Sequence, residues 1–272
     1  MESLTPSLQS SVLNRAWRIA ATGFCFSLFG IGALMLSTFW FTALRLLVKD
    51  GERCATLTQS SIRHNFRLFL WLTRALGVLD YRFDGVEKLS EDAGALVVAN
   101  HPSLLDYVFL ASCMPRCDCI IKQSLLGNVF MRGVIKAAGY IPNAESETLL
   151  PQCKARLDDK GMILIFPEGT RTTPGEPMRL QRGAANIALR CQADIRLVAI
   201  HCDQPMLTKR GKWYNIPPVK PRFHITVKEK LRVKDYVADD DASLAIAARR
   251  LTQTLSQRLI PEPVQTHEKN NG

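Results

Sequence analysis

The sequence predicts an α/β fold in which a mainly parallel or mixed sheet is covered by helices and preceded by an N-terminal membrane-anchoring segment. After residue 80, short apolar runs alternate with longer stretches of helical periodicity, an order typical of parallel sheets with helical connections. Residues 19–44 form an uncharged run of 26 residues, whereas about 20 suffice for a helix to span a bilayer.

The composition limits the architecture to one catalytic domain and an anchor. The chain has 272 residues, of which 47% are hydrophobic and 22% charged. That charged fraction argues against a protein with many membrane spans. The formal net charge of +10 indicates an anionic partner, either a lipid surface or an acidic carrier protein. Nucleic acid is not expected, because no nucleic-acid-binding motif accompanies the charge.

The N-terminal segment fits either a membrane span or a hairpin that enters one leaflet. Gly30 and Gly32 lie in the middle of the apolar run, where a hairpin could turn. Both ends are flanked by cations, namely Arg15 and Arg18 before the run and Arg45, Lys49 and Arg53 after it. This near-symmetry leaves the orientation undecided by the distribution of positive charge.

Four regions follow from these patterns. Residues 1–57 are predicted to form the anchor, and residues 58–79 an amphipathic helix with apolar positions at helical spacing. Residues 80–260 are predicted to form the catalytic domain, and residues 261–272 a flexible polar tail. The amphipathic helix could pack on the domain or lie on the membrane.

Within the catalytic domain we predict six strands and five helices. The strands are 81–83, 95–99, 119–122, 162–166, 196–200 and 223–227, and the helices lie near 104–113, 124–138, 147–159, 182–192 and 242–259. Ligand sites in such sheets usually lie at the carboxyl ends of strands.

The first chemical motif, His101 and Asp106, stands where a strand gives way to a helix. On a continuous helix two residues five apart point about 140° apart. Pro102 disfavours helical geometry at His101, so Asp106 in the first turn can reach the imidazole, fix its tautomer and stabilise its charged form. His101 is thus a candidate general base. Alternatively, Ser103 and Asp106 form a capping box that serves only the helix end.

The second motif, 166–171, also follows an apolar strand and reads Phe-Pro-Glu-Gly-Thr-Arg. Its proline and Gly169 indicate a tight loop. Glu168, Thr170 and Arg171 offer an acceptor, a hydroxyl and a fork of donors suited to phosphate. The alternative is a structural Glu–Arg pair that closes a turn.

Together, the two motifs resemble those of the glycerolipid acyltransferase family, typified by 1-acylglycerol-3-phosphate acyltransferase. The resemblance covers about residues 60–235. It implies an α/β catalytic domain docked on membrane helices, with His101 as base and Asp106 as its partner. It also implies substrate-binding roles for Asn100 and Lys122 and for the loop residues Glu168, Gly169, Thr170 and Arg171.

Two further family blocks are only partly present. The second usually ends in an arginine thought to bind the acceptor's phosphate, but 143–145 here read Asn-Ala-Glu, and the fourth usually carries a proline that 197–200 lack. We therefore expect an acyl group to move from an acyl carrier protein or coenzyme A thioester to a hydroxyl of a lysophospholipid, or of another lipid acceptor. No cofactor beyond the donor is needed.

Other enzymatic and non-enzymatic functions stay open. A thioesterase or lipid hydrolase would use water as acceptor, although the G-x-S-x-G elbow of serine hydrolases is absent. A membrane-anchored adaptor would use the basic stretch 205–234, which also carries Trp213 and Tyr214 and suits lipid headgroups or an acidic carrier. Backbone N–H groups after Pro102 are candidate oxyanion donors.

The remaining expectations concern metals and location. Cys113, Cys117 and Cys119 lack a second ligand pair at zinc spacing, so no metal site is expected. Because an acyl carrier is intracellular, the catalytic domain is expected to face the cytoplasm at the cell's inner membrane.

Overall fold

The computed structural model describes residues 8–127, 129–143, 146–237 and 244–261. The helices are α1 (Leu8–Met35), α2 (Phe41–Leu47), α3 (Gly51–Ala75), α4 (Asp106–Cys113), α5 (Val129–Ala138), α6 (Ser146–Asp158), α7 (Gly183–Cys191) and α8 (Leu244–Arg258). The strands are β1 (Asp80–Asp84), β2 (Leu96–Ala99), β3 (Cys117–Lys122), β4 (Ile141–Asn143), β5 (Met162–Ile165), β6 (Ile195–Cys202) and β7 (Arg222–Leu231). A π-helical turn, Leu36–Trp40, joins α1 to α2.

All described strands join one mixed sheet in the order β1-β7-β6-β2-β5-β3-β4. Every neighbouring pair is parallel except β6 and β7, which are antiparallel. The predicted α/β class is therefore confirmed. The central strand β2 is buried at all four positions, as expected for a strand covered on both faces.

Alternate residues of the sheet lie on opposite faces and belong to two separate hydrophobic cores. Val97 and Ala99 of β2 belong to a cluster with residues of α1, α3 and α4. Leu96 and Val98 face the other way, into a cluster with residues of α6, α7 and α8. The sheet thus separates the N-terminal helices from the C-terminal helix, and this arrangement gives the domain two chemically different sides.

The N-terminal helices do not form the hairpin that was one of the two predicted arrangements. The chain does not turn back at Gly30 and Gly32, because both lie inside α1. It turns at residues 48–50, where Asp50 caps α3 by accepting from the N–H groups of Glu52 and Arg53. Helix α3 therefore begins at Gly51, and the predicted boundary after residue 57 falls within it. Within the described residues, Val12–Leu47 is the one helical run long and apolar enough to cross a membrane, judged by length and composition.

The predicted strands and helices of the domain all form, with shifted ends, and one strand escaped prediction. Strand β4 has only three residues, the second of which is Pro142. Proline lacks the N–H needed by a ladder and is confined to sheet edges, and β4 lies at the edge of this sheet. The predicted tail lies outside the described residues except for Pro261.

A buried ion pair fixes the entry to β2 against β6. Arg196 Nε and Nη2 donate to the two carboxylate oxygens of Asp92 at 2.5 and 2.9 Å, and Lys230 Nζ lies 3.3 Å from the same carboxylate. Asp92 is completely buried. Removing one partner of such a pair leaves the other charge buried without compensation.

We expect Asp92→Ala to lower the free energy of unfolding by about 3–5 kcal/mol, measured by urea unfolding followed by far-UV circular dichroism. Asp235→Ala is the matched control, because Asp235 is half exposed in its pair with Arg232 and its loss should cost less than about 1 kcal/mol. Equal losses in the two variants would contradict this account.

Candidate active site

The two sequence motifs meet because β2 and β5 are parallel neighbours. Leu96 pairs with Ile163 and Val98 with Ile165, so both strands end at the same edge of the sheet. His101 follows β2 and Phe166 follows β5. Their rings stack with centroids 4.2 Å apart and planes inclined by 19°. Phe166 thereby holds the imidazole against the second motif.

His101 and Asp106 form a hydrogen-bonded pair at the start of α4. The Nδ1 atom of His101 lies 2.8 Å from Oδ2 of Asp106. The Asp106 side chain is completely buried, whereas the His101 side chain is 18% exposed to solvent. An ionised carboxylate can only accept hydrogen bonds, so it places the imidazole proton on Nδ1. The Nε2 atom is then free to accept a proton, as a general base requires.

The same oxygen of Asp106 also accepts the N–H of Ser103 at 2.7 Å. The contact predicted for catalysis and the capping contact proposed as its alternative therefore coexist on one atom. The capping box predicted Ser103 as the N-cap of α4, and this is wrong. Helix α4 begins at Asp106, and its N-cap is Leu105, which makes no side-chain hydrogen bond. The hydroxyl of Ser103 instead donates to the carbonyl of Met206.

Burial raises the pKa of the Asp106 carboxyl to about 6, because desolvation outweighs the stabilising effects of His101 and the Ser103 N–H. The negative charge of Glu168 raises that pKa further. The Oδ1 atom of Asp106 is buried and has no hydrogen-bond partner among the described residues. Asp106 is thus held ionised at neutral pH at a cost to folding stability.

Glu168 closes the loop of the second motif onto the first. Its Oε1 atom accepts the backbone N–H of His101 at 2.9 Å, and both of its carboxylate oxygens accept the hydroxyl of Thr172. The N–H of Thr172 in turn donates to the carbonyl of His101 at 2.7 Å. The Glu–Arg pair considered from sequence is not the contact that closes this loop.

Gly169 is required by its backbone conformation and by its neighbour. Its φ is +67°, a region that side chains disfavour. A Cβ atom there would lie 2.8 Å from Nε2 of Gln181. The positive φ favours glycine at this position, and any side chain there would also displace the amide of Gln181.

Arg171 is fixed by the segment that follows β6. Its Nη1 atom donates to the carbonyls of Leu207 and Thr208 at 2.8 and 3.0 Å. Strand β6 is parallel to β2, so its carboxyl end reaches the same edge of the sheet and completes a third wall. A guanidinium carries five N–H donors, so donors are left for a ligand.

A cavity of about 550 Å³ opens beside His101. Its lining includes Thr170, Arg171 and Lys209 together with apolar side chains. The volume suits a small-molecule substrate. The apolar part of the lining is contributed by Ile120, Ile121, Leu149, Ile165, Phe166 and Ile187.

The structure does not bring every predicted substrate-binding residue to this cavity. The amide of Asn100 donates to the carbonyl of Ile200 and accepts its N–H, so Asn100 ties β2 to β6, and it does not line this cavity. Glu168 is likewise occupied within the protein, whereas Gly169, Thr170 and Arg171 do line the cavity. The side chain of Lys122 lies outside the described part of the structure.

The oxyanion donors expected after Pro102 are also engaged. The N–H of Ser103 donates to Asp106, that of Leu104 to the carbonyl of Leu207, and that of Leu105 to the hydroxyl of Ser103. The expectation that these groups face the reacting atoms is therefore wrong. These three N–H groups instead stabilise the turn between His101 and α4.

Several contributors were missed from sequence. Thr172 lies one residue beyond the second motif and had no signal of its own. Lys209 and Gln181 line the cavity although they stand in segments read only as a basic stretch and a helix start. The carbonyls of residues 206–208 could not be foreseen, because backbone contacts leave no mark in a sequence.

Of the clustered cysteines, Cys117 and Cys119 are buried and Cys113 is partly buried. Burial raises the pKa of Cys113 and that of Cys119 to about 12, and it also raises the pKa of Cys117 well above its ordinary value. These thiols are protonated at neutral pH, which makes them poor nucleophiles.

Comparison with known proteins agrees with the motifs. Residues 80–202 match the model of the acyltransferase family. The matched stretch contains both motifs and is similar to the acyltransferase domain. The resemblance to glycerolipid acyltransferases is confirmed, and with it the class of enzyme.

The relatives and a solved structure extend this match. A Caenorhabditis elegans protein named as a 1-acyl-sn-glycerol-3-phosphate acyltransferase is 25% identical over 88% of this chain and 86% of its own. The Helicobacter pylori 1-acyl-sn-glycerol-3-phosphate acyltransferase is 37% identical over 50% of this chain and 58% of its own. The crystal structure of the Thermotoga maritima acyltransferase PlsC shares the fold, with a TM-score of 0.64 and 17% identity over 93% of this chain and all of that one.

The buried carboxylate makes a prediction for stability. Because folding raises the pKa of Asp106 from 3.8 to about 6, ionising it destabilises the folded state as the pH rises through that range. Asp106→Asn should therefore raise the free energy of unfolding by roughly 3 kcal/mol at pH 8. The gain should shrink below pH 6 and disappear near pH 4. Urea unfolding at several pH values measures it.

Asp158→Asn serves as the control, because Asp158 is exposed in its pair with Lys154. A stability gain in Asp106→Asn that does not change with pH would show that burial of the charge is not its origin.

Proposed function

We propose that this protein transfers a fatty acyl group from a thioester donor to a hydroxyl of a lysophospholipid, with His101 as general base. The observation that carries the proposal is the pairing of His101 with a buried carboxylate at the edge of a cavity that also presents Arg171. Acyl carrier protein and coenzyme A are the two donors considered from sequence.

The chemistry needs one proton relay. The acceptor hydroxyl gives its proton to Nε2 of His101 while its oxygen attacks the thioester carbonyl carbon. Asp106 stabilises the imidazolium through Nδ1. The tetrahedral intermediate then collapses, the carbon–sulfur bond breaks, and the imidazolium returns the proton to the leaving thiolate. No covalent acyl-enzyme is formed.

The oxyanion of the intermediate requires donors other than those after Pro102. The backbone N–H of Thr170 has no hydrogen-bond partner among the described residues, and Thr170 lines the cavity with His101. We assign it as the candidate donor. Preorganised donors of this kind supply a large share of catalysis in acyl transfer.

Arg171 and Lys209 are the cations suited to the phosphate of the acceptor. Both line the cavity beside His101, and Arg171 is held in place by two carbonyls. Asn143, where the family usually has an arginine, also lines this cavity. A phosphate here would therefore depend on Arg171 and Lys209 more than in the family pattern.

A second, apolar cavity is suited to a lipid tail. It has a volume of about 260 Å³ and lies between the N-terminal helices and the domain. Its walls include Phe29, Phe66 and Phe69, and Tyr107 adjoins Asp106 in the chain. Such a lining favours a hydrocarbon chain over a polar ligand.

The N-terminal helices are proposed to lie in the membrane surface and not to cross it. Ala21 and Cys25 of α1 are buried in the core with α3 and α4, and Phe41 and Leu44 of α2 in a further cluster with α3 and α5. Residues 21 to 44 cover about 35 Å of helix, which exceeds the roughly 30 Å of bilayer hydrocarbon. If α1 and α2 crossed the bilayer, the domain that packs against them would have to enter the hydrocarbon region.

The opposite face of α1 is free to enter the lipid. Phe24, Leu28 and Ile31 follow one another at helical spacing and are 57%, 47% and 59% exposed. Exposed apolar surface of this extent marks an interaction site, and an in-plane helix buries such a face at the boundary between headgroups and chains.

Part of the basic stretch lies beside this helix. A Cβ atom at Gly23 would come within 3.2 Å of the Trp213 ring, and Arg18 donates to the carbonyl of Pro218. Lys209, Arg210 and Lys212 belong to the same segment, which suits headgroup contact. Other cations of the basic stretch form ion pairs within the protein, such as Lys220–Asp80, Lys230–Asp92 and Arg232–Asp235.

We expect His101→Ala to lower kcat by about 10²–10⁴-fold, the usual contribution of a general base. The wild-type kcat/KM should fall as the pH drops below about 6, where Asp106 becomes protonated. The assay pairs acyl thioesters of coenzyme A and acyl carrier protein with lysophosphatidic acid and other lysolipids, and mass spectrometry identifies the products. His64→Ala, at an exposed histidine of α3, is the matched control.

Each alternative has its own outcome in this assay. Release of free fatty acid at the same rate without acceptor would identify a hydrolase. Unchanged acyl transfer by His101→Ala would refute the role of His101, and absence of turnover with every donor would favour an adaptor.

We expect the double variant Phe24→Asp/Ile31→Asp to bind anionic lipid vesicles at least about tenfold more weakly, since each buried apolar side chain contributes about 1.5–3 kcal/mol. Vesicle flotation measures the bound fraction. Ile246→Asp is the control, because Ile246 is equally exposed on α8 on the other side of the sheet.

A protease-sensitive tag at each terminus tests the in-plane arrangement. Both tags should be cleaved from the same side of sealed vesicles. Cleavage from opposite sides would mean that α1 crosses the bilayer.

A further inference from the structure

Three arginines line a groove on the side of the sheet opposite to α1. The groove has a volume of about 530 Å³ and lies between the segment 178–182 and helix α8. Arg179, Arg182 and Arg249 supply its charge, and Thr252, Gln253 and Ser256 supply further polar groups. We call it the arginine groove.

No carboxylate neutralises these arginines within the described parts of the chain. The exposed Arg258, which lies on the same helix as Arg249, is in contrast paired with Glu229. Three like charges around one groove repel one another, and an anionic ligand relieves that repulsion. Guanidinium groups match the geometry of phosphate oxygens particularly well.

The groove faces water and not the lipid-facing helices. Met178 and Leu180, which flank Arg179, pack on the core formed with α6, α7 and α8, whereas α1 and α3 contribute to the core on the other face of the sheet. The ligand is therefore a soluble anion and not a membrane headgroup.

The groove is continuous with the cavity of His101. A cavity of about 350 Å³ lies between them and shares Arg179 with the groove. It shares Thr170, Arg171 and Lys209 with the cavity beside His101. A ligand held by its anionic end in the groove can thus extend a flexible arm along this path to the reaction centre.

We propose that the arginine groove binds the phosphorylated nucleotide of a coenzyme A thioester, the acyl donor. The proposal rests on the proposed function, which requires a thioester carbonyl beside His101. Coenzyme A joins an anionic nucleotide to its thiol by a long flexible arm, which fits a cationic groove at one end of a path and a base at the other. An acidic carrier protein needs about 800 Å² of contact surface on its partner, and the groove is a concave site of ligand size.

The test is the triple variant Arg179→Gln/Arg182→Gln/Arg249→Gln. Isothermal titration calorimetry with coenzyme A should show at least about tenfold weaker binding than the wild type, because charge-assisted hydrogen bonds are lost. The KM for the acyl coenzyme A should rise by a similar factor, while kcat and the KM for the lysolipid change less than about twofold. Dephospho-coenzyme A, which lacks one phosphate, should bind the wild type more weakly than coenzyme A.

The double variant Arg190→Gln/Arg250→Gln is the matched control. Both residues are exposed on α7 and α8, and neither lines the groove. It should behave as the wild type, and thermal unfolding should confirm that both variants are folded.

Three outcomes would overturn the inference. The first is unchanged coenzyme A binding in the triple variant, and the second is no binding of coenzyme A to the wild type. The third is a triple variant that loses acyl transfer from acyl carrier protein but keeps acyl transfer from coenzyme A. Failure of the proposed function looks different, since a wild type that binds coenzyme A in the groove but transfers no acyl group would leave the groove's assignment intact.

Discussion

One buried carboxylate oxygen organises the candidate active site. Oδ2 of Asp106 accepts hydrogen bonds from the imidazole of His101 and from the backbone of Ser103, so it orients the base and shapes the turn before α4 at once. Pro102 makes this possible by keeping His101 out of helical geometry. The cost is an ionised group that is completely buried, which is typical of functional sites.

Much of this site could be read from the sequence because its two motifs follow predicted strands. Parallel strands end at the same edge of a sheet, so His101 and the loop 166–171 had to approach one another if β2 and β5 became neighbours. That adjacency itself was not encoded locally. It follows from the way the whole sheet assembles, and the same is true of β6, whose following segment contacts Ser103 and Arg171.

What failed from sequence failed for physical reasons that can be named. Asn100 belongs to the family motif but serves the sheet, because a motif does not distinguish residues that touch substrate from residues that hold the motif in place. The short edge strand β4 carries no periodicity. Gly30 and Gly32 suggested a turn, yet a helix tolerates glycine at modest cost when one face is packed against a domain.

The sheet divides the molecule into a side with apolar helices, proposed to face lipid, and a side with charged groups. Apolar helices and the apolar cavity lie on one face, and the arginine groove lies on the other. The carboxyl edge of the sheet, with His101, borders both. This placement suits a reaction whose acceptor resides in a membrane and whose donor arrives from solution.

Helix α1 is a wall of the domain and not an appendage. Ala21 and Cys25 share a core with Phe69 and Leu70 of α3, and the ring of Phe29 in α1 lies 4.9 Å from that of Phe69. A shortened chain that starts after residue 50 would therefore expose its own interior and would be expected to aggregate. Solubility in this protein is better sought by changing the outer face of the helix than by cutting the helix away.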